Sequence, residues 1–235
     1  MAKKIEYGQF CPVAMAAQIL AVRWMPLVVR ELLAGSTRFN DLHRGLPLIS
    51  PSLLSSRLKE LEQAGVIDRT PAPNGKGFEY LLTEAGRELG PIVFMYGFWA
   101  DKWLKRDYTE SELDPSLLMW DIRRNVVADV FPAERRAVVE FELSGVKSGQ
   151  RRWWVLFERG DTDLCMKDPG YGIDLYVRAP VRALTEVWMG RRNLTEALKT
   201  EAIQLEGSRP EIKNFSKWFS LNFFANAENP LLASS

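Results

Sequence analysis

Ser52, Ser55, Ser56, Arg57 and Lys59 fall within one short stretch: three hydroxyls, a guanidinium and an ammonium. Short hydroxyls reach base edges or phosphates but discriminate weakly between bases. A guanidinium can grip a guanine edge with two hydrogen bonds. An ammonium suits a phosphate as a point charge. Arg57 can instead pair with Glu60 or Glu62 along a helix. Arg38 upstream, and Asn74 and Lys76 downstream, are further candidates for phosphate or minor-groove contact. Such a set suits contact with double-stranded DNA if one helix face and its flanks present it, and is otherwise an ordinary solvated face.

Little elsewhere points to catalysis. His43 is the one histidine, and Cys11 and Cys165 are the two cysteines. They form no cluster at metal-ligand spacing, and there is no GxGxxG, GxxxxGK[ST] or GxSxG motif. No cofactor, metal or enzymatic activity is expected. His43 suits a surface or phosphate contact, and Cys165 a strand core. Cys11 stands just before an apolar helix, where the backbone dipole favours a thiolate. It is either a redox candidate or a small packing residue without a resolving thiol.

The candidates need a frame to position them. Ser50 can cap a helix, Pro51 can open it, and Leu54, Leu58 and Leu61 form its apolar stripe. Gly65 can close it. Val66–Thr70 and Phe78–Leu82 read as two strands around a Pro- and Gly-rich loop. Before them, helices are predicted from Cys11-Pro12, over Leu27–Leu33 and over Arg38–Arg44. After them, Thr83 can cap a long helix over 84–105, interrupted near its first turns by Gly90-Pro91, with Leu89, Ile92, Val93, Tyr96, Trp99, Trp103 and Leu104 on one broad apolar surface. Such a surface calls for a partner.

These blocks, CPVAMAAQIL, RWMPLVVRELLAGSTRFNDLHRGLPLISPSLLSSRLKELEQAGVIDRT and YLLTEAGREL, closely resemble the HxlR-type (DUF24) winged-helix regulators. The resemblance covers about residues 10–104. It implies a mostly α winged helix-turn-helix, a homodimer on a DNA operator, and a redox or electrophile sensor at Cys11. Pro26 departs from the family pattern and can shift the start of the second helix.

The 235 residues are 46% hydrophobic, enough for one large or two modest cores. Residues 1–106 carry 14 Lys and Arg against 10 Asp and Glu, and residues 107–235 carry 17 against 20. A basic first half beside an acidic second half fits a DNA module joined to something else. No apolar run reaches the ~18 residues of a membrane span. The charged N-terminus and sparse cysteines make the cytoplasm the expected location.

From Ser116 the pattern changes. A helix is predicted over Ser116–Phe131 and four antiparallel strands over Arg136–Val146, Gln150–Arg159, Asp163–Lys167 and Gly172–Val177. Helices over Pro180–Met189 and Leu194–Lys199, a strand over Ala202–Glu206 and a closing helix over Pro210–Phe224 complete the chain. The strands, then Leu184, Thr185, Trp188 and Gly190, resemble the sterol-carrier-protein-2-like domain over roughly residues 115–225. That resemblance implies an α+β fold with an antiparallel sheet and an apolar tunnel for a lipid-like or other apolar small molecule. Trp120, Phe141, Trp153, Phe157, Trp188, Phe215 and Phe219 are then pocket candidates, although a filled core explains most such residues. Trp153 and Trp154 cannot both face inward from one strand. The expected division is 1–106 for DNA binding and dimerisation, 115–225 for the ligand domain, and 226–235 as a loose tail. A purely architectural second domain and a lipid carrier are the alternatives.

Overall fold

Proline in the first turn opens three of the first four helices: α1 (Pro12–Leu20), α2 (Met25–Leu33) and, after α3 (Phe39–Gly45), α4 (Pro51–Gln63). A missing N–H is harmless there, because the first amides of a helix have no partner within it. The computed structural model describes residues 7–73, 75–104, 106–127, 130–131 and 134–226. The chain divides into two units, residues 1–100 and 101–235.

In the first unit, Pro26 lies in the first turn of α2, and the bulky Trp24 before it adopts φ +78°. Ser50 caps α4 by accepting from the Leu53 amide at 3.3 Å. Gly65, at φ +71°, lets the chain leave α4 in the left-handed region. Strands β1 (Ile67–Pro71) and β2 (Phe78–Leu82) then form an antiparallel hairpin, with Ile67 opposite Leu82. Thr83 caps α5 (Glu84–Glu88) through the Gly86 amide at 3.1 Å. The interruption expected at Gly90-Pro91 divides the helix over 84–105 into two, with Leu89 between α5 and α6 (Gly90–Trp103). Pro91 accounts for the break: it has no N–H to continue the ladder.

Leu54, Leu58 and Leu61 of α4 are buried with Val28, Val29 and Leu32 of α2 and Leu42 of α3. Within that core lies a charge. The Glu31 side chain has no exposure and pairs with Arg30 at 2.6 Å. Arg30 also donates to the Gly45 carbonyl at 3.2 Å. A Cβ at Gly45 would stand 1.9 Å from the Glu31 carboxylate, so any larger residue there displaces that buried carboxylate from its place beside Arg30.

The second unit begins with α7 (Pro115–Asn125), capped by Asp114 through the Ser116 amide at 2.7 Å. It stops at Asn125, short of the expected Phe131. The five strands are β3 (Ala137–Ser144), β4 (Arg152–Glu158), β5 (Asp161–Cys165), β6 (Leu175–Pro180) and β7 (Gln204–Gly207), in the order β5-β4-β3-β6-β7. β3 and β6 are parallel, with Val139 opposite Leu175. The expected antiparallel sheet is therefore mixed, because residues 166–174 carry the chain across β4 and β3 before β6 begins. Helices α8 (Val181–Trp188) and α9 (Leu194–Lys199) precede β7. α10 (Arg209–Trp218) comes after it, and the expected closing helix ends there, with α11 (Phe223–Asn226) as a separate turn.

Alternation sorts the sheet into two faces. Phe141, Trp153, Val155, Phe157 and Val177 share the core with Leu184, Trp188, Phe215 and Trp218. The opposite face is charged: Glu142 pairs with Arg151 at 2.9 Å and Arg178 at 3.3 Å. Trp154 lies there yet is buried, its indole donating to Glu140 at 3.1 Å. Arg135 bonds both Asp174 and Glu211, joining the start of the sheet to α10.

Gly45→Ala is expected to destabilise the first unit by about 3 kcal/mol, the scale of breaking a buried ion pair. Adding Glu31→Ala makes room for the methyl and should recover part of the loss. Urea midpoints check this, and an unchanged midpoint for Gly45→Ala refutes the constraint.

Candidate nucleic-acid interface

The leucine stripe that buries one side of α4 fixes what the other side presents. Ser52, Ser55, Ser56 and Lys59 are all exposed, at steps of three, one and three that keep them on one helix face. Ser52 shares a hydrogen bond with Ser50 at 3.2 Å, and Ser56 donates to Glu60 at 3.0 Å. Arg57 is turned off this face. It donates to Glu60 at 2.7 Å and to the Arg23 carbonyl at 3.1 Å, holding α4 to the turn before α2.

The β1–β2 hairpin stands beside α4 as a wing, fixed by polar contacts to the residues that lead into α3. The Tyr80 amide donates to the Thr37 carbonyl at 2.8 Å. Arg38 pairs with Glu79 at 3.2 Å and donates to the Lys76 carbonyl at 3.1 Å. Arg38 thus ties the wing down, while Lys76 is exposed near its tip. Asn74 lies outside the described residues. Arg69 was missed by sequence reasoning: it is exposed on β1 and its guanidinium stacks on the Phe78 ring at 3.6 Å. Strand alternation around the loop was the available signal. His43 bonds the Ile49 carbonyl at 3.0 Å through Nε2, closing the turn before α4.

Cys11 is half-buried at the N-cap of α1 and does not cap it with its side chain. Cys165 is also a free thiol, its pKa pushed up by burial and by Asp163. Among the described residues no group of three His, Cys, Asp or Glu can hold a metal ion. None of their helices is long and apolar enough by itself to cross a membrane.

The seven aromatic pocket candidates are all buried. Six, Phe141, Trp153, Phe157, Trp188, Phe215 and Phe219, belong to the second unit's core. Trp120 lies beneath the Arg123 guanidinium at 5.1 Å. A cavity of about 640 Å³ in this unit is lined instead by polar groups, among them Asp107, Tyr108, Glu186, Arg191 and Glu196. Arg191 stacks on the Tyr108 ring at 4.2 Å, and burial raises the Tyr108 hydroxyl's pKa. A cavity of about 710 Å³ in the first unit lies at the wing base, beside Leu33, Tyr80 and Arg87. None of the seven candidates lines either cavity.

A buried three-leucine face, a capped helix with a polar outer face and a clamped wing are the geometry of a helix-turn-helix reader. The HxlR-like helix-turn-helix family model matches residues 19–108. The HTH-type transcriptional regulator YvaP of Bacillus subtilis is 40% identical over 116 residues, covering 48% of this chain and 99% of YvaP. The HTH-type regulator YodB of the same organism is 34% identical over 104 residues, covering 43% and 93%. The quinone-bound structure of YodB matches 40% of this chain and 99% of that one at 34% identity, with a TM-score of 0.35. The chain belongs to the HxlR-like helix-turn-helix family of transcriptional regulators.

Proposed function

We propose that the chain is a homodimeric, cytoplasmic regulator that binds a pseudo-palindromic operator, with α4 in the major groove and the β1–β2 wing on the adjacent backbone. The carrying observation is the exposed face of Ser52, Ser55, Ser56 and Lys59 on a helix whose other side is buried. The serines read base edges. Lys59, Lys76 and Arg69 hold phosphate. Arg38 and Arg57, already engaged with Glu79 and Glu60, keep wing and helix in position.

Lys59→Ala and Arg69→Ala should each lower the slope of log affinity against log salt by about 1, uniformly across sequences. Ser55→Ala should change base preference instead. Fluorescence anisotropy with a duplex selected from a random pool measures both. Unchanged slopes would take these two cations off the phosphates.

The dimer reading rests on α6, which exposes Ile92, Tyr96, Trp99 and Trp103 in one stripe, with Phe10, Val13 and Met15 exposed around α1. An apolar surface of that extent marks an interaction site. A second copy supplies the second recognition helix, for half-sites ~34–36 Å apart. Replacing Trp99 and Trp103 together by Glu should give a monomer in sedimentation and weaken operator binding by about 100-fold or more. A monomer that binds as tightly as the parent chain rules this dimer out.

For the second unit we propose a sterol-carrier-protein-2-like ligand domain. Its α+β architecture supports this, as does the placement of Leu184, Thr185 and Trp188 on α8 with Gly190 just beyond it. An apolar ligand would regulate by binding unequally to two spacings of the recognition helices. The packed state of the pocket candidates favours the competing reading, a purely architectural unit. Mass spectrometry of small molecules released from the native protein separates the two. Cys11 remains the oxidant- or electrophile-responsive candidate by its place before α1. Cys11→Ser is expected to leave operator affinity intact and abolish its loss on diamide treatment, and a variant responding like the parent chain removes this role.

A further inference from the structure

The aromatic core of the second unit contains two polar atoms that the packing of the described residues does not satisfy. Trp188 and Trp218 are 2% and 0% exposed. Neither indole N–H has a hydrogen-bond partner among the described residues. Trp153, in the same core, shows the ordinary solution: its indole donates to the Gln150 carbonyl at 2.7 Å. A buried donor without an acceptor has given up its hydration for nothing, and native cores hold few of them. Two in one cluster call for an acceptor that the described residues do not provide.

Phe219 is close to both. Its ring centroid lies 5.9 Å from that of Trp188 and 6.2 Å from that of Trp218, and it stacks on Phe215 at 4.9 Å. Phe219 is also the residue at which the chain leaves α10, with ψ 89°. The segment beyond it is tied to the same two tryptophans. The Ser220 amide donates to the Trp218 carbonyl at 3.0 Å, and the Asn222 amide to the Trp188 carbonyl at 2.9 Å. The ring therefore sits on a short connection held by a few backbone bonds, not inside a helix or strand.

We propose that the cluster of Trp188, Phe219 and Trp218 is a self-plugged ligand site. Phe219 occupies the place of a compact apolar or aromatic group, and the two indole N–H groups receive a carbonyl or carboxylate oxygen carried by that group. An indole N–H donates and cannot accept, so the ligand must bring the acceptor. The inference rests on the reading of the second unit as a ligand domain and adds to it the plug and the hydrogen-bonding group. It also accounts for the packed pocket candidates: with the Phe219 ring in place the site is closed, and apparent affinity falls by the fraction of chains that are open.

Acetophenone and cumene test this on the full-length chain by calorimetry, since they match in shape and only the first carries an acceptor. Phe219→Ala removes the plug and should bind both at least tenfold more tightly than the parent chain. Phe219→Val is the milder version if the alanine variant does not fold. In either background, Trp188→Phe and Trp218→Phe keep a ring and delete a donor. Each should lower acetophenone affinity at least tenfold, leave cumene affinity unchanged, and leave the unfolding midpoint unchanged or higher. Equal binding by plugged and unplugged chains overturns the plug. Acetophenone affinity that survives both tryptophan substitutions overturns the acceptor site, as does failure of every unplugged chain to bind either probe. An operator affinity that ignores bound acetophenone removes the coupling to DNA and leaves this site standing. Equal affinity for acetophenone and cumene in an unplugged chain that keeps both tryptophans removes this site and leaves the DNA reading standing.

Discussion

The Glu31 carboxylate is the constraint on which the DNA-reading unit depends. A charge with no solvent exposure is tolerable only with a partner and good geometry. Arg30 gives it the partner, and the bare Cα of Gly45 gives it the space. Because Arg30 also holds the Gly45 carbonyl, α2 grips the C-terminal end of α3. From that end a short turn leads into α4, closed by the bond between His43 and the Ile49 carbonyl. The angle at which α4 leaves that turn is thus set by polar contacts inside the domain. Apolar burial alone is non-directional and would hold the helix without fixing that angle.

The arginines of this unit show a division of labour. Arg30, Arg38 and Arg57 all spend hydrogen bonds on the protein itself. The outward face of α4 is left mainly to hydroxyls and Lys59. Bidentate arginine readout is the strongest base discriminator, so a face without it distinguishes bases modestly in each half-site. A reader built this way gains selectivity by combining two half-sites at a fixed distance. The aromatic stripe on α6 fits that requirement.

Much of the first unit was legible because its determinants are local. Ser50, Pro51, the leucine stripe and Gly65 lie within one helix and its ends, and each acts through its immediate neighbours. The break before α6 was also marked, by Gly90-Pro91, although the apolar pattern on either side of it reads as one continuous helix. What could not be read was pairing between distant residues. Arg57 had equally good partners in solvent, DNA and Glu60, and only the fold brings the Arg23 carbonyl beside it. The parallel match of β3 with β6 escaped for the same reason, since an alternating strand carries no record of its neighbour's direction. Trp153 and Trp154 do take opposite faces, as the pleat demands, but both are buried, because Glu140 accepts the second indole on the polar face. Among the aromatics, type predicted burial well and said little about which of them would be left without a partner.

The strand order β5-β4-β3-β6-β7 also bears on how the chain is made. Its central pair, β3 and β6, can form only after residues 145–174 have been laid down and folded back. Non-local, parallel pairings of this kind form slowly, whereas the helices and hairpin of the first unit draw on nearby residues. Domains tend to fold in the order in which they leave the ribosome. A nascent chain therefore acquires a finished α4 while the middle of its sheet is still open. During that interval it carries the means to hold nucleic acid without the folded unit that follows it. The burden on chaperones falls on the second unit more than on the first.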